Sequence, residues 1–216
     1  MAELRPVALP PAERTVGQLV AESIRFYGEH FWAALGLGLA PATFAVVDAH
    51  VSRRTALVLS ATAFGAVLSA TYVYACVLVL GSRPRQSRLV SAWLAGWLVF
   101  VPAPFLVLAY IVPGLLWLGS LALVVPVLVV ENLGIRSAVS RAWRLAKADY
   151  VHAVGSLFTL AVVVVLTEGV LAFILRGFGD SAIWVAYFLA SVVVSPLLFV
   201  GAALLYVDQS ARVEVE

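Results

Sequence analysis

Charge is scarce in this chain. Of 216 residues, only 12% are Asp, Glu, Lys or Arg, about half the ~25% of an ordinary soluble domain. The 14 basic and 12 acidic side chains are too few to cover the surface of a water-soluble fold this long. Cysteine is nearly absent. Cys76 stands alone, which excludes an internal disulfide and a cysteine metal site and leaves the reading of a small buried apolar residue. The three histidines occur as His30-Phe31, His50-Val51 and His152-Ala153, with no third ligand beside any two of them. There is no HExxH, no GxSxG, no phosphate-binding glycine loop and no Cys/His cluster. The expectation is therefore a protein with no catalytic constellation, no metal and no cofactor. A disordered chain, a nucleic-acid-binding arm and a secreted disulfide scaffold are excluded by the same composition.

What is abundant is apolar. Hydrophobic residues make up 63% and mean hydropathy is +1.03, the composition of an integral membrane protein. Residues 31–47, 55–82, 89–130, 150–167 and 181–207 carry no Asp, Glu, Lys or Arg. A helix crosses a bilayer core with about 20 apolar residues at 1.5 Å each. The 89–130 run, about 63 Å as one helix, must turn back, and Pro113-Gly114 is its natural break. The expected fold is an all-α bundle of six spans, near 30–48, 55–80, 92–112, 114–130, 151–175 and 181–207. Together they form one membrane domain over 15–212, between a flexible 1–14 tail and a short 213–216 tail.

Sidedness follows from the basic residues of the connections. One side holds Arg5, Arg14, Arg25, Arg83, Arg85, Arg88, Arg136, Arg141, Arg144, Lys147 and Arg212, eleven in all; the other holds Arg53, Arg54 and Arg176. The richer side is read as cytoplasmic, with both termini on it, in the cell membrane. Residues 1–14 contain Pro6, Pro10 and Pro11 and no apolar core, so they do not read as a cleavable signal peptide.

The inner-side segments are amphipathic. In 135–148, Ile135, Ala138, Val139, Ala142, Trp143 and Ala146 share a helical face opposite Arg136, Ser140, Arg144 and Lys147. Such a basic helix lies in the headgroup layer, packs on the bundle, or does both. In 15–29, Thr15 and Gln18 have capping-box spacing. Val16, Val20, Ile24, Tyr27 and Phe31 form a stripe opposite Gln18, Glu22, Arg25 and Glu29. The stretch GSRPRQSRLVSAW is a shorter basic segment. Sliding the first unit by 119 residues aligns Val20 with Val139, Arg25 with Arg144, Ala34 with Ala153 and Gly36 with Gly155, a parallel repeat of helical hairpins. Ala61, Gly65 and Ser69, then Ala92 and Gly96, then Ala186 and Ala190 recur at four-residue spacing and suit close helix packing or a dimer face.

The stretch VVPVLVVENLGIRSAVSRAWRLAKADYVHAVGSL resembles the membrane domain found attached to some bacterial glycerophosphoryl diester phosphodiesterases, and also found alone. TVGQLVAESIRFYGEHFW is similar to that family's N-terminal helix, and SPLLFVGAALLYVDQSAR to its last span. The resemblance implies Glu131, Arg144 and Asp208 as the motif positions. Ala142 and Gln209-Ser210 depart from the pattern. The phosphodiesterase activity does not carry over, because the catalytic domain's His-Arg-Gly start is missing and a barrel of about 250 residues has no room here.

Polar groups at membrane depth are the remaining pointers. Glu168 lies about five residues, roughly 7 Å, past the middle of its span toward the outer side. It reads either as an ion or proton site or as an interfacial carboxylate approached by Arg176 or Arg54. Glu131 and Asp208 close the fourth and sixth spans level with Arg141, Arg144 and Lys147. They read either as an ion-pair cluster docking helix 135–148 or as a pocket for an anionic lipid headgroup. Two functional expectations follow. The first is a non-enzymatic protein that scaffolds, assembles or regulates a membrane partner, or its own oligomer, at the cytoplasmic leaflet on anionic lipid. The second is a small-solute transporter or lipid-handling protein using Glu168 or the inner basic cluster.

Overall fold

The computed structural model describes residues 10–109, 111–131, 133–175 and 180–215. Every regular element among them is helical, since only a helix satisfies its backbone polar groups within its own segment in an apolar surrounding. The α-helices are α1 Val16–Glu29, α2 Phe31–Leu35, α3 Leu39–His50, α4 Arg53–Leu59, α5 Gly65–Leu80, α6 Gln86–Phe100, α7 Ala103–Ala109, α8 Ile111–Leu121, α9 Val124–Val130, α10 Ile135–Ala148, α11 Tyr150–Leu175, α12 Asp180–Val194 and α13 Pro196–Val215. Joined end to end they give six stretches long and apolar enough to cross a membrane: Phe31–His50, Arg53–Leu80, Gln86–Leu106, Val112–Val130, Tyr150–Ile174 and Trp184–Glu214.

Proline decides where those stretches are jointed. Pro41 and Pro126 are each in the third position of a helix, Pro104 is in the second of α7, and Pro196 opens α13. A helix's first turn has no use for those N–H groups, so proline starts helices more readily than it interrupts them. The expected break at Pro113-Gly114 does not fall there: both residues lie inside α8, since proline's fixed φ suits a helix. The α12–α13 joint at Ser195 has further consequences. Pro196 has no N–H to offer the Val192 carbonyl, and at the same joint Tyr27 of α1 donates its hydroxyl to the neighbouring Val193 carbonyl at 2.8 Å. Burial pushes the Tyr27 hydroxyl above its ordinary range. Gly38, between α2 and α3, lies so close to Val192 that a Cβ there would overlap its backbone.

The centre of the bundle is the last stretch. Over an 18-residue apolar segment of each, 67% of the residues are buried in Trp184–Glu214 and 61% in Val112–Val130, against 22–33% in the other four. Around the outside, large apolar side chains such as Trp32, Leu98 and Val151 are exposed. The small-residue series turn inward. Ser69 Oγ donates to the Trp93 carbonyl at 2.6 Å, and a Cβ on Gly96 would strike Ser69. The Arg53–Leu80 stretch loosens to a π-helical turn over Ser60–Phe64, and Trp97 Nε1 donates at 3.0 Å to the Ala61 carbonyl there. Ala186 and Ala190 are buried as well. These series therefore pack helices within the chain.

The two amphipathic helices are rotated from their expected faces. In α1 the capping box forms, with Thr15 N–H donating to Gln18 Oε1 at 2.8 Å. The buried line, however, is Leu19, Ser23 and Tyr27, with Ile24 exposed. Ser23 turns its hydroxyl back on the Leu19 carbonyl at 2.7 Å and so presents a small surface to Gly201 of α13. In α10 the buried face is Ala138, Ala142, Leu145 and Ala146, whereas Ile135, Val139 and Trp143 stay exposed. Alanines, the smallest apolar side chains, bring the α10 backbone close to the bundle and leave the bulky residues on an outer flank.

Candidate functional site

Glu168 is almost wholly buried, with 7% of its surface exposed, yet it lines a cavity of about 710 Å³. Three elements build the walls. α11 contributes Val164 and Glu168, one helical turn apart. α3 contributes Phe44, Ala45 and Asp48, whose i, i+1 and i+4 spacing puts them on one face. α12 contributes Trp184, Tyr187 and Ser191, and the joint adds Ser195. The Tyr187 and Ser191 hydroxyls interact with the Glu168 carboxyl. Ser195 Oγ donates to the Ser191 carbonyl at 2.6 Å. Leu198, Phe199 and Phe100 line the deeper part and are shared with a smaller pocket of about 110 Å³. That second pocket continues between Tyr72, Leu118 and Leu157.

The expectation that Arg54 approaches Glu168 fails. Arg54 is exposed and does not line the cavity; Arg176 lies outside the described residues. No basic side chain lines the cavity among the described residues. Glu168 faces hydroxyls, and Asp48 joins it as a second carboxylate.

His152 sits about 24 Å down α11 from Glu168, at 1.5 Å per residue, and marks a different polar region. The expected cluster of Glu131, Arg141, Arg144, Lys147 and Asp208 resolves there into separate parts. Glu131 accepts from Arg141 Nε at 3.2 Å and from the Tyr206 hydroxyl at 3.1 Å, which ties α10 to α13. Asp208 joins neither Arg141 nor Arg144. Its side chain is fully buried and pairs with Arg14 at 3.0 Å, with His152 Nε2 at 3.6 Å. Asp149 caps α11 by accepting from the His152 N–H at 2.9 Å and pairs with Arg212 at 2.7 Å. Arg212 also donates to the Arg14 carbonyl at 2.7 Å. This clasp binds residues 10–14, which pack on α13, to the far end of the chain.

Arg144 and Lys147 leave the cluster for a geometric reason. At 100° per residue, Arg141 stands on the flank of the buried face of α10, while Arg144 and Lys147 point nearly opposite it. Both are exposed, and Lys147 Nζ lies 5.1 Å from the Trp143 ring centre. A basic cavity does form nearby, about 530 Å³, but its arginines are Arg83, Arg85 and Arg88. Arg88 Nη1 donates to the Leu133 carbonyl.

Sequence reasoning missed Asp48, Tyr187 and Ser191 in the cavity, and Arg14, Asp149, His152 and Arg212 in the clasp. A signal for the first set exists: Tyr187, Ser191 and Ser195 recur every fourth residue in an otherwise apolar span. For Arg14 there is none, since its partner stands 194 residues away.

No protein-family profile matches the chain, and no similar curated protein or solved structure was found. The resemblance to the phosphodiesterase-associated membrane domain thus rests on its three motif segments alone.

Proposed function

We propose that this is a multi-pass membrane protein that binds a small ligand in the Glu168 cavity, as a small-solute transporter or lipid-handling protein. The observation that carries this reading is a carboxylate 93% withdrawn from solvent (7% exposed) that nevertheless lines about 710 Å³ of open space. A purely architectural carboxylate at this depth would be closed in by a cation or by packing, because an unpaired buried charge costs several kcal/mol. The cavity also sits at helix joints, with Pro41 and Ser195 in its lining, and broken helices build binding sites in many transporters.

In this reading the protein lies in the cell membrane with both termini and the clasp on the cytoplasmic side, and the cavity opens on the outer side. The role is non-catalytic. α10 lies at the inner leaflet, its exposed Ile135, Val139 and Trp143 in the acyl boundary and Arg144 and Lys147 on anionic headgroups. That surface supports a second reading, an inner-leaflet scaffold for a membrane partner, and Glu131, Arg144 and Asp208 support kinship with the phosphodiesterase-associated membrane domain. The cavity favours ligand binding over scaffolding. The small-residue series are already used within the chain and offer no dimer face.

Native mass spectrometry of protein extracted with its surrounding lipid tests the proposal. The wild type is expected to retain a small molecule that Ser191→Trp, which fills the cavity, releases. A bare monomer, or a complex holding only another protein, would reject ligand binding.

A further inference from the structure

Resting on that reading, we infer that the cavity takes a lipophilic organic cation: an ammonium or phosphonium head beside Glu168, with an apolar body directed toward Phe199. Charge comes first. Glu168 and Asp48 line the same space, and no Lys, Arg or His does so among the described residues. Bound inside, a cation supplies the opposite charge that the Tyr187 and Ser191 hydroxyls cannot give a buried carboxylate. An anionic ligand would add a third negative charge to a low-dielectric site and is excluded.

The walls agree with this. Phe44, Trp184 and Tyr187 stand around the carboxylates, and the negative faces of aromatic rings attract a weakly hydrated cation. Such rings are of little use to a small metal ion, which requires several oxygen ligands. No metal-sized group of His, Cys, Asp and Glu occurs among the described residues.

Size and polarity fix the orientation. The polar residues lie toward the Asp48 and Trp184 end. The deeper end, at Leu198, Phe199 and Phe100, runs into the second pocket, whose lining is apolar apart from the Tyr72 hydroxyl. That hydroxyl donates to the Ala202 carbonyl at 3.4 Å. A charged head at one end and an alkyl or aryl body at the other match this gradient. Asp48 is exposed whereas Glu168 is buried, so the first carboxylate meets an incoming cation and the second holds it.

Two probes of similar bulk separate charge from shape: tetraphenylphosphonium, a cation, and triphenylphosphine oxide, which is neutral. Each is titrated calorimetrically into the full chain in detergent, with blank micelles subtracted. The wild type is expected to bind the cation and not the oxide. Glu168→Gln should weaken cation binding by about tenfold or more, the scale of one lost charge contact. Asp48→Asn, at an exposed position that folding tolerates, should weaken it by roughly threefold and serves if the Glu168 variant fails to fold. Equal binding of oxide and cation, or unchanged cation affinity in both variants, overturns the cation assignment. Where native mass spectrometry still shows a retained small molecule, ligand binding survives that result. If neither probe binds and nothing is retained, both readings fall together.

Discussion

At the scale of single residues, the strongest contrast is between two ion pairs of the same chemistry. Arg25 bridges Glu22 at 2.5 Å on the open face of α1, with 60% of its side chain exposed. Arg14 bridges Asp208 at 3.0 Å, the acid fully buried. Arg25→Ala should cost no more than about 1 kcal/mol, because water screens the charges and the long side chain recovers its freedom. Arg14→Ala should cost about 3 kcal/mol, because it leaves a buried carboxylate with only His152 at 3.6 Å beside it. Thermal unfolding in detergent ranks the two, and similar losses would mean that the clasp adds nothing. The double variant Arg14→Met/Asp208→Leu should recover most of the loss, since a hydrophobic pair removes the desolvation cost along with the attraction. Glu168 was legible in the sequence because a carboxylate inside an aliphatic run stands out by itself. Arg14 was not, because nothing local distinguishes it from a residue of a tail.

Elements show a different limit. The six long stretches were legible from their apolar runs, and the capping box of α1 from Thr15 and Gln18. The orientation of each helix was not. A hydrophobic stripe identifies the buried face only where water is the alternative, and in an apolar surrounding bulky residues face outward at no cost. α10 buries Ala138 and Ala142 and exposes Trp143. Close approach, not hydrophobicity, selects the inner face, and glycine exposes this most clearly. Gly38→Ala should destabilise by about 1–3 kcal/mol, because its Cβ would overlap the Val192 backbone. Gly28→Ala in α1, where a Cβ meets nothing within 4 Å, should be neutral or stabilising by up to about 1 kcal/mol. Melting curves of the two variants give opposite shifts if helix separation is set this way, and matching shifts if it is not.

For the whole molecule, the count of six stretches long and apolar enough to cross a membrane follows from length and composition, while the assembly of a cavity from α3, α11 and α12 depends on joints that hydropathy does not register. Threading can be read directly. Cys76 is fully buried, so the wild type should give no background with a membrane-impermeant maleimide. In intact cells Arg53→Cys, at the start of α4, should be labelled from outside. Lys147→Cys, exposed on α10, should be labelled only after permeabilisation. The reverse pattern would invert the protein and place the cavity mouth on the cytoplasmic side.

The burial of α13 at the centre bears on how the protein is made. Synthesis proceeds from the N-terminus, and the helix that α1, α5, α9, α10 and α11 all pack against emerges after every one of them. Until it arrives, Ser23 and Tyr72, both buried in the finished protein, face a vacant axis, and Arg14 waits for an acid 194 residues downstream. The earlier helices pack on one another, as α5 does on α6 and α6 on α9, but lack the element that joins them at the centre. A chain cut off at residue 195 is thus expected to be a quality-control substrate, although it retains five of the six membrane-length stretches in full.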